Sequence, residues 1–264
     1  MHQSILYNKH HIHYKDTGEG NTIVLLHGFL ESCEIWKEFT EVLSNKFRVI
    51  SIDLPGHGRS EVVSDIHSME LMADCVYFVL QHLKIEKCVV VGHSMGGYVA
   101  LDFAERYSHL LKGMVLFHSH ALKDSEEAKK QRELTIEKIK IDHNSFINNF
   151  IPDLFATINV EKYLSEIEKL IFQASCTPKI GIIAALEGMK IRNSKLNVLA
   201  TSSYPVLFII GKEDKRINVI DILSQTLLPS HSEMLLLSNT GHVGYIEAKN
   251  VSLSAIQHFT ERAF

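Results

Sequence analysis

Five short apolar runs, each bounded by turn residues, constrain the fold of this chain more than any other feature. They fall at residues 23–26, 49–52, 89–91, 114–117 and 206–210, and residues 234–237 make a sixth. Continuous apolar character over so few residues reads as strands buried on both faces, the pattern of a parallel sheet covered by helices. Stretches of helical period lie between them, at residues 32–45, 68–83, 95–107 and 243–262. This alternation predicts an α/β fold with a mostly parallel sheet. The first twenty residues read differently. Residues 4–7 and 12–14 flank Asn8-Lys9-His10 and predict an antiparallel hairpin on one edge of the sheet.

Between Phe117 and Val206 the rhythm breaks. Residues 125–141 are rich in Lys and Glu, with apolar residues at Leu134, Ile136, Ile139 and Ile141, and predict an amphipathic helix. Further helical stretches follow at 145–155, 160–175 and 178–189. The expected organisation is one domain over residues 1–264 with a helical insertion at 119–196 set on one end of the sheet. The chain carries 27 basic and 31 acidic residues, a net charge of −4. With no basic excess to neutralise phosphates, nucleic acid is not an expected partner. No segment reaches the ~20 uninterrupted apolar residues of a membrane span. The N-terminal residues lack the basic start and apolar stretch of a secretory signal. Cys33, Cys75, Cys88 and Cys176 are scattered without a C-x-x-C pair, so a reduced, cytoplasmic protein is the expectation.

Chemistry concentrates in Gly92-His93-Ser94-Met95-Gly96-Gly97, directly after the apolar run ending at Val91 and at the opening of a helix. This is the G-x-S-x-G pattern of a nucleophile elbow: Gly92 and Gly96 let strand and helix approach while Ser94 sits exposed on a tight turn. A serine hydroxyl needs a base, and the base needs orienting. Asp214 follows the strand at 206–210, and His242 follows the strand at 234–237. The order Ser94, Asp214, His242 assigns nucleophile, orienting acid and base. Glu213 and Asp221 are the rival carboxylates; Glu213 comes one residue early for the turn, and Asp221 lies in a predicted helix. Two backbone N–H groups should form an oxyanion hole: Met95, after the nucleophile, and Phe29, in the loop after the first parallel strand, with Gly28 allowing the bend.

His27-Gly28-Phe29, the run from Asp53 to Ser60, the elbow, the segment 211–214 and Gly241-His242 together resemble the successive motifs of the α/β-hydrolase superfamily, its small bacterial esterase-like branch in particular. The resemblance covers most of the chain outside the insertion. It implies a mostly parallel eight-stranded sheet with helices on both faces, a helical lid inserted after the sixth strand, and no cofactor. It also implies a serine hydrolase acting on a small-molecule carboxylic ester or thioester. The same constellation serves carbon–carbon hydrolases and lyases, and members kept as slow, receptor-like binders. A Ser nucleophile argues against the dehalogenases and epoxide hydrolases, which carry Asp.

His118, His120, Phe150 and Val243 are candidate pocket residues, the first two because they follow a strand on the active edge. His93 reads as packing, Trp36 as a wedge at the base of the first helix, and residues 53–60 as a rigid loop beneath the oxyanion loop. His11/His13 and His118/His120 have a strand-face spacing suited to a metal, but no Cys or carboxylate in the sequence pattern completes a ligand set, so no metal is expected. Phe146, Ile147, Phe150, Ile151, Leu154 and Phe155 cluster in the insertion, and apolar walls there would favour short to medium acyl chains over charged substrates.

Overall fold

Asn8 and Lys9, with φ of 46° and 73°, turn the chain back on itself at the start of the fold. Two successive left-handed residues make the two-residue turn whose twist suits a hairpin. The hairpin joins β1 (His2–Tyr7) to β2 (His10–Thr17) in antiparallel register, Tyr7 opposite His10. The computed structural model describes residues 2–264; Met1, where the N-terminal reading begins, lies outside them.

Six further strands follow: β3 (Thr22–Leu26), β4 (Arg48–Ile52), β5 (Cys88–His93), β6 (Leu111–Phe117), β7 (Val206–Gly211) and β8 (Ser232–Leu237). They form one sheet in the order β1-β2-β4-β3-β5-β6-β7-β8, parallel from β4 onward. The hairpin is thus an antiparallel edge, joined through β2 to β4. Every residue of β3, β5 and β7 is buried, as their unbroken apolar runs require of strands covered on both faces.

The helices are α1 (Lys37–Leu43), α2 (Met69–His82), α3 (Met95–Tyr107), α4 (Glu126–Phe150), α5 (Leu164–Ser175), α6 (Lys179–Ile191), α7 (Leu196–Ala200), α8 (Val219–Gln225), α9 (Gly244–Glu247) and α10 (Lys249–Ala263). α2 and α3 pack together as one layer, and α3 lies along β5 and β6. In the other layer α10 sets Phe259 against Gly113 of β6. The 3₁₀ turn Cys33–Trp36 before α1 sets Trp36, fully buried, among Phe39, Phe117 and Tyr245.

One helix expected as a single piece is divided, and two stretches expected apart are joined across a kink. The C-terminal one breaks at Ala248 (φ −133°), giving α9 and α10. α4 breaks at Asp142 (φ −149°, ψ 95°), whose carboxylate accepts the N–H of Ser145 and restarts the helix. That break matches the gap between the two stretches read from sequence. The helices α4 to α6 lie between β6 and β7 in the chain, so the insertion leaves the sheet at the end of the strand beside β5.

Lys9 has a Cβ and sits at φ 73°, a conformation costing an L-residue about 1–2 kcal/mol that glycine avoids. Lys9→Gly is expected to raise the melting temperature by about 2–4 °C, on the scale of 1 kcal/mol for a chain of this size. Calorimetry of the pair checks it. An unchanged or lower value would mean that the lysine side chain offsets the strain.

Candidate active site

β3 has β4 on one side and β5 on the other, so the chain reverses its direction of travel across the sheet between them. Loops leaving β3 and β5 therefore splay apart and leave a crevice at their carboxyl ends, where open α/β sheets bind ligands. The β3 loop carries His27, Gly28 and Phe29, and the β5 turn carries Ser94. Asp214 and His242 follow β7 and β8 at the same edge.

Ser94 has φ 51° and ψ −115°, a strained geometry for a residue with a side chain. The turn is tight enough that a Cβ on Gly92 would lie 2.3 Å from the carbonyl oxygen of Gly96. A Cβ on Gly96 would lie 2.5 Å from that of Leu26. Glycine at both positions is what lets α3 begin against β3 and β5. The Ser94 hydroxyl lies 2.8 Å from His242 Nε2, and His242 Nδ1 lies 2.7 Å from Asp214 Oδ2. The carboxylate can only accept, so Nδ1 carries the proton and Nε2 is left to accept from the serine. Burial alone would push Asp214 up, but His242 and His118 outweigh it and hold the carboxyl well below the usual range. Glu213 and Asp221 are exposed and take no part.

Met95 is fully buried and Phe29 nearly so, and neither backbone N–H donates to an acceptor among the described residues. Two buried donors without partners at one edge are an arrangement that a ligand oxygen would satisfy. Gly28 serves a purpose other than the expected bend. A Cβ there would lie 2.7 Å from Glu31 Oε2 and 2.8 Å from His93 Nδ1, so glycine makes room for that pair.

Glu31 and His93 form a network that sequence reasoning missed. Glu31 accepts the N–H of Gly28 (2.6 Å) and the Tyr245 hydroxyl (2.8 Å), and lies 2.9 Å from His93 Nδ1. His93 Nε2 lies 2.8 Å from the carbonyl oxygen of His242. Both ring nitrogens face acceptors only, so both carry protons and His93 is an imidazolium. Burial would raise Glu31, yet His93, Tyr245 and Gly28 bring it down to about 2. Burial would lower His93, and the Glu31 charge overrides it and raises the imidazole.

Three candidate pocket residues, His118, Val243 and His120, are not among those that line the cavity over Ser94. His118 is fully buried, with Nδ1 3.4 Å from Asp214 Oδ2 and Nε2 accepting the Gly244 N–H at 3.2 Å. Its backbone has φ 48°, which turns the ring inward behind the acid instead of toward substrate. Val243 is also fully buried, so following His242 in sequence does not bring it to the crevice. His120 stands behind Tyr98, its Nε2 3.3 Å from the tyrosine hydroxyl.

Asp53 binds the loop under the oxyanion turn, accepting from Cys33 N (2.7 Å) and Arg59 N (3.0 Å) and lying 2.7 Å from His13 Nδ1. Cys33 and Asp53 do come within ligand distance of His13, contrary to the sequence expectation. Burial and the Asp53 charge push the Cys33 thiol up, away from the thiolate that a metal would need.

A cavity of about 290 Å³ opens over Ser94 and His242, at the small end of ligand sites. Phe29, Phe146 and Phe150 line it, with Phe29 and Phe150 edge to face at 5.8 Å. Ile147, Ile151, Leu154 and Phe155 from the same cluster are buried in the packing instead. The walls are less apolar than expected: Gln131, Arg132, Thr135 and Arg216 also line the cavity.

The sequence model for the alpha/beta hydrolase fold matches residues 21–143. The structure of a thermophilic esterase from Thermogutta terrifontis with malate bound aligns with a TM-score of 0.94 and 30% identity, covering 100% of this chain and 99% of that one. The chloroplastic protein PHYLLO of Arabidopsis thaliana is 35% identical over 52% of this chain and 9% of its own length. The uncharacterized hydrolase YugF of Bacillus subtilis is 35% identical over 42% of this chain and 41% of its own. The matches thus span less than half the length of these two curated relatives.

Burial lowers His57 to about 3, and His67, His118 and His120 to about 4. Unfolded, each imidazole takes up a proton near pH 6.5, while the folded protein refuses it until about pH 3–4. Acid therefore favours unfolding across this window. The three fully buried rings each remove up to about 1 kcal/mol per pH unit there. Lowered carboxylates such as Glu31 lose their contribution only as the pH falls below about 4. His93 acts oppositely, stabilising below about pH 6.5 and losing that as the pH rises through its raised value. Urea midpoints are expected to fall steeply from pH 6.5 to 4.5, and a flat profile would contradict neutral buried rings.

Proposed function

The chain belongs to the α/β-hydrolase superfamily, and on that premise we propose that it is a serine hydrolase of small to medium carboxylic esters or thioesters, working through an acyl-enzyme. The observation that carries this reading is the unbroken hydrogen-bonded line from Ser94 Oγ through His242 to Asp214, at the floor of a cavity. In this reading Ser94 Oγ attacks the substrate carbonyl carbon while His242 Nε2 takes its proton. The carbonyl oxygen, now an anion, accepts from the N–H groups of Phe29 and Met95. Asp214 holds the imidazole in the productive tautomer and stabilises the imidazolium. His242 then gives its proton to the departing alcohol or thiol as the carbon–oxygen or carbon–sulfur bond breaks. Water attacks the acyl-enzyme with His242 again as base, releasing the acid and restoring Ser94.

Residues 119–196 act in this proposal as a lid on a single domain, with Phe146 and Phe150 as its roof over the acyl group. The four cysteines are unpaired, which supports a reducing compartment such as the cytoplasm.

A fluorophosphonate probe should add once to the protein, at Ser94, and not at all to Ser94→Ala; peptide mass mapping reads the site. Asp214→Asn should lower kcat by up to about 10⁴-fold, since the amide favours the wrong tautomer. Labelling of Ser94 without turnover of any ester would point instead to a slow ligand-binding member. Turnover that is flat with acyl length from C2 to C12, or that needs a lipid interface, would remove the lid from the proposal.

A further inference from the structure

The protein as a whole is acidic, with a net charge of −4, yet the cavity over Ser94 is lined by two arginines and by no Asp or Glu among the described residues. Each arginine belongs to a cluster with more cations than anions. In the first, Asp124 takes both Arg132 (Nε at 2.5 Å, Nη2 at 3.3 Å) and Arg192 (Nη1 at 2.5 Å), two guanidinium groups for one carboxylate. Asp124 and Arg192 are almost fully buried there, and Arg192 also stacks on the ring of Tyr98, another wall of the cavity. In the second, Asp153 is shared between Lys215 and Arg216, and Arg216 lies over the ring of Phe150. Each cluster carries one unbalanced positive charge.

Hydrogen bonding gives the surplus a direction. Nη1 of Arg132 has only the sulfur of Met189, at 3.5 Å, and no oxygen acceptor among the described residues. Thioether sulfur is a weak acceptor, so a strong planar donor is left under-used in the wall of the cavity. A guanidinium pointed at a small, partly enclosed space suits a carboxylate, which it meets with short charge-assisted bonds. A neutral alkyl chain there would bury the donor without a partner.

We propose that the substrate carries a carboxylate besides its reacting carbonyl, held by Arg132, with Arg216 adding to the field that draws it in. This rests on the serine-hydrolase reading above and narrows it to anionic esters, thioesters or lactones. It also replaces the expectation, drawn from the apolar cluster, that charged substrates are disfavoured.

Two matched pairs test it. Monomethyl glutarate against methyl pentanoate places the charge in the acyl part; 4-butyryloxybenzoate against phenyl butyrate places it in the leaving group. The charged member of at least one pair should have a kcat/KM about tenfold or more above its neutral partner, and added salt should shrink the ratio. Arg132→Gln should bring that ratio close to one, Arg132→Lys should retain part of it, and Arg216→Gln should reduce it less. Because the readout compares two substrates in one variant, a loss of folded protein cancels. If Arg132→Gln does not fold, protection of the wild-type protein from the fluorophosphonate by glutarate, and not by pentanamide, carries the same test. Neutral members preferred in both pairs, or a ratio unmoved by Arg132→Gln, overturns the proposal. Should no ester be turned over while glutarate still binds Ser94→Ala by calorimetry, the hydrolase reading fails and the anion site stands.

Discussion

Glu31 and His93 form an ion pair with both side chains almost completely buried, and three loops of the candidate site hang from it. Glu31 fixes the backbone N–H of Gly28, one residue before Phe29, the proposed oxyanion donor. His93 is itself the residue before Ser94, and its other nitrogen holds the carbonyl of His242. Taking two such charges out of water costs several kcal/mol per ion, and attraction alone does not offset it. What makes the pair tenable is that its acceptors and donors are satisfied: Gly28, Tyr245 and His93 around the carboxylate, Glu31 and the His242 carbonyl around the ring. The turn of Ser94, the loop of Phe29 and the loop of His242 are therefore set relative to one another by a network outside the lining of the cavity.

Backbone strain gathers on the same edge. Leu30, Ser94 and His118 all have positive φ, each in a loop leaving the carboxyl end of a central strand. Such conformations persist only where neighbouring bonds over-determine them. Here Ser94 N donates to Phe117 O, Ser119 Oγ donates to Ser94 O, and His118 N donates to Ile209 O. The strand ends thus hold one another in place, Ser94 and His118 each donating to the strand beside it. The sheet interior, buried and regular, supplies the rigidity that this needs.

Much of this was legible in the sequence because it was local. Continuous apolar runs marked the six parallel strands, Asn8-Lys9 marked the hairpin, and G-x-S-x-G after a strand marked the elbow. What could not be read depended on side chains meeting from distant segments. Nothing near His118 says that its ring turns inward to Asp214, almost a hundred positions later. Glu247, in the short helix α9, accepts from Gly241 N, Ala156 N and Asn159 Nδ2, contacts that no local pattern announces. The charge of the cavity was hidden for a different reason. Arg132 sits in a Lys- and Glu-rich helix that reads as a solvated face, and only the fold shows that Asp124 must serve two guanidinium groups.

The contacts of Glu247 also bear on how freely the insertion can move. His242 N donates to Leu154 O at 2.7 Å, so the loop carrying His242 is bonded directly to the middle of the inserted segment. Glu247 doubles that link by holding Gly241 and Ala156 on its two oxygens. This middle part of the insertion is therefore anchored to the His242 loop, and displacing it would break backbone hydrogen bonds beside His242. The part of α4 before the break at Asp142 is held differently: Ile136 and Ile139 are buried in the core, and Arg132 is paired with the buried Asp124. The wall that carries Arg132 is therefore held by the core and by Asp124, as the loop that carries His242 is held by Leu154 and Glu247.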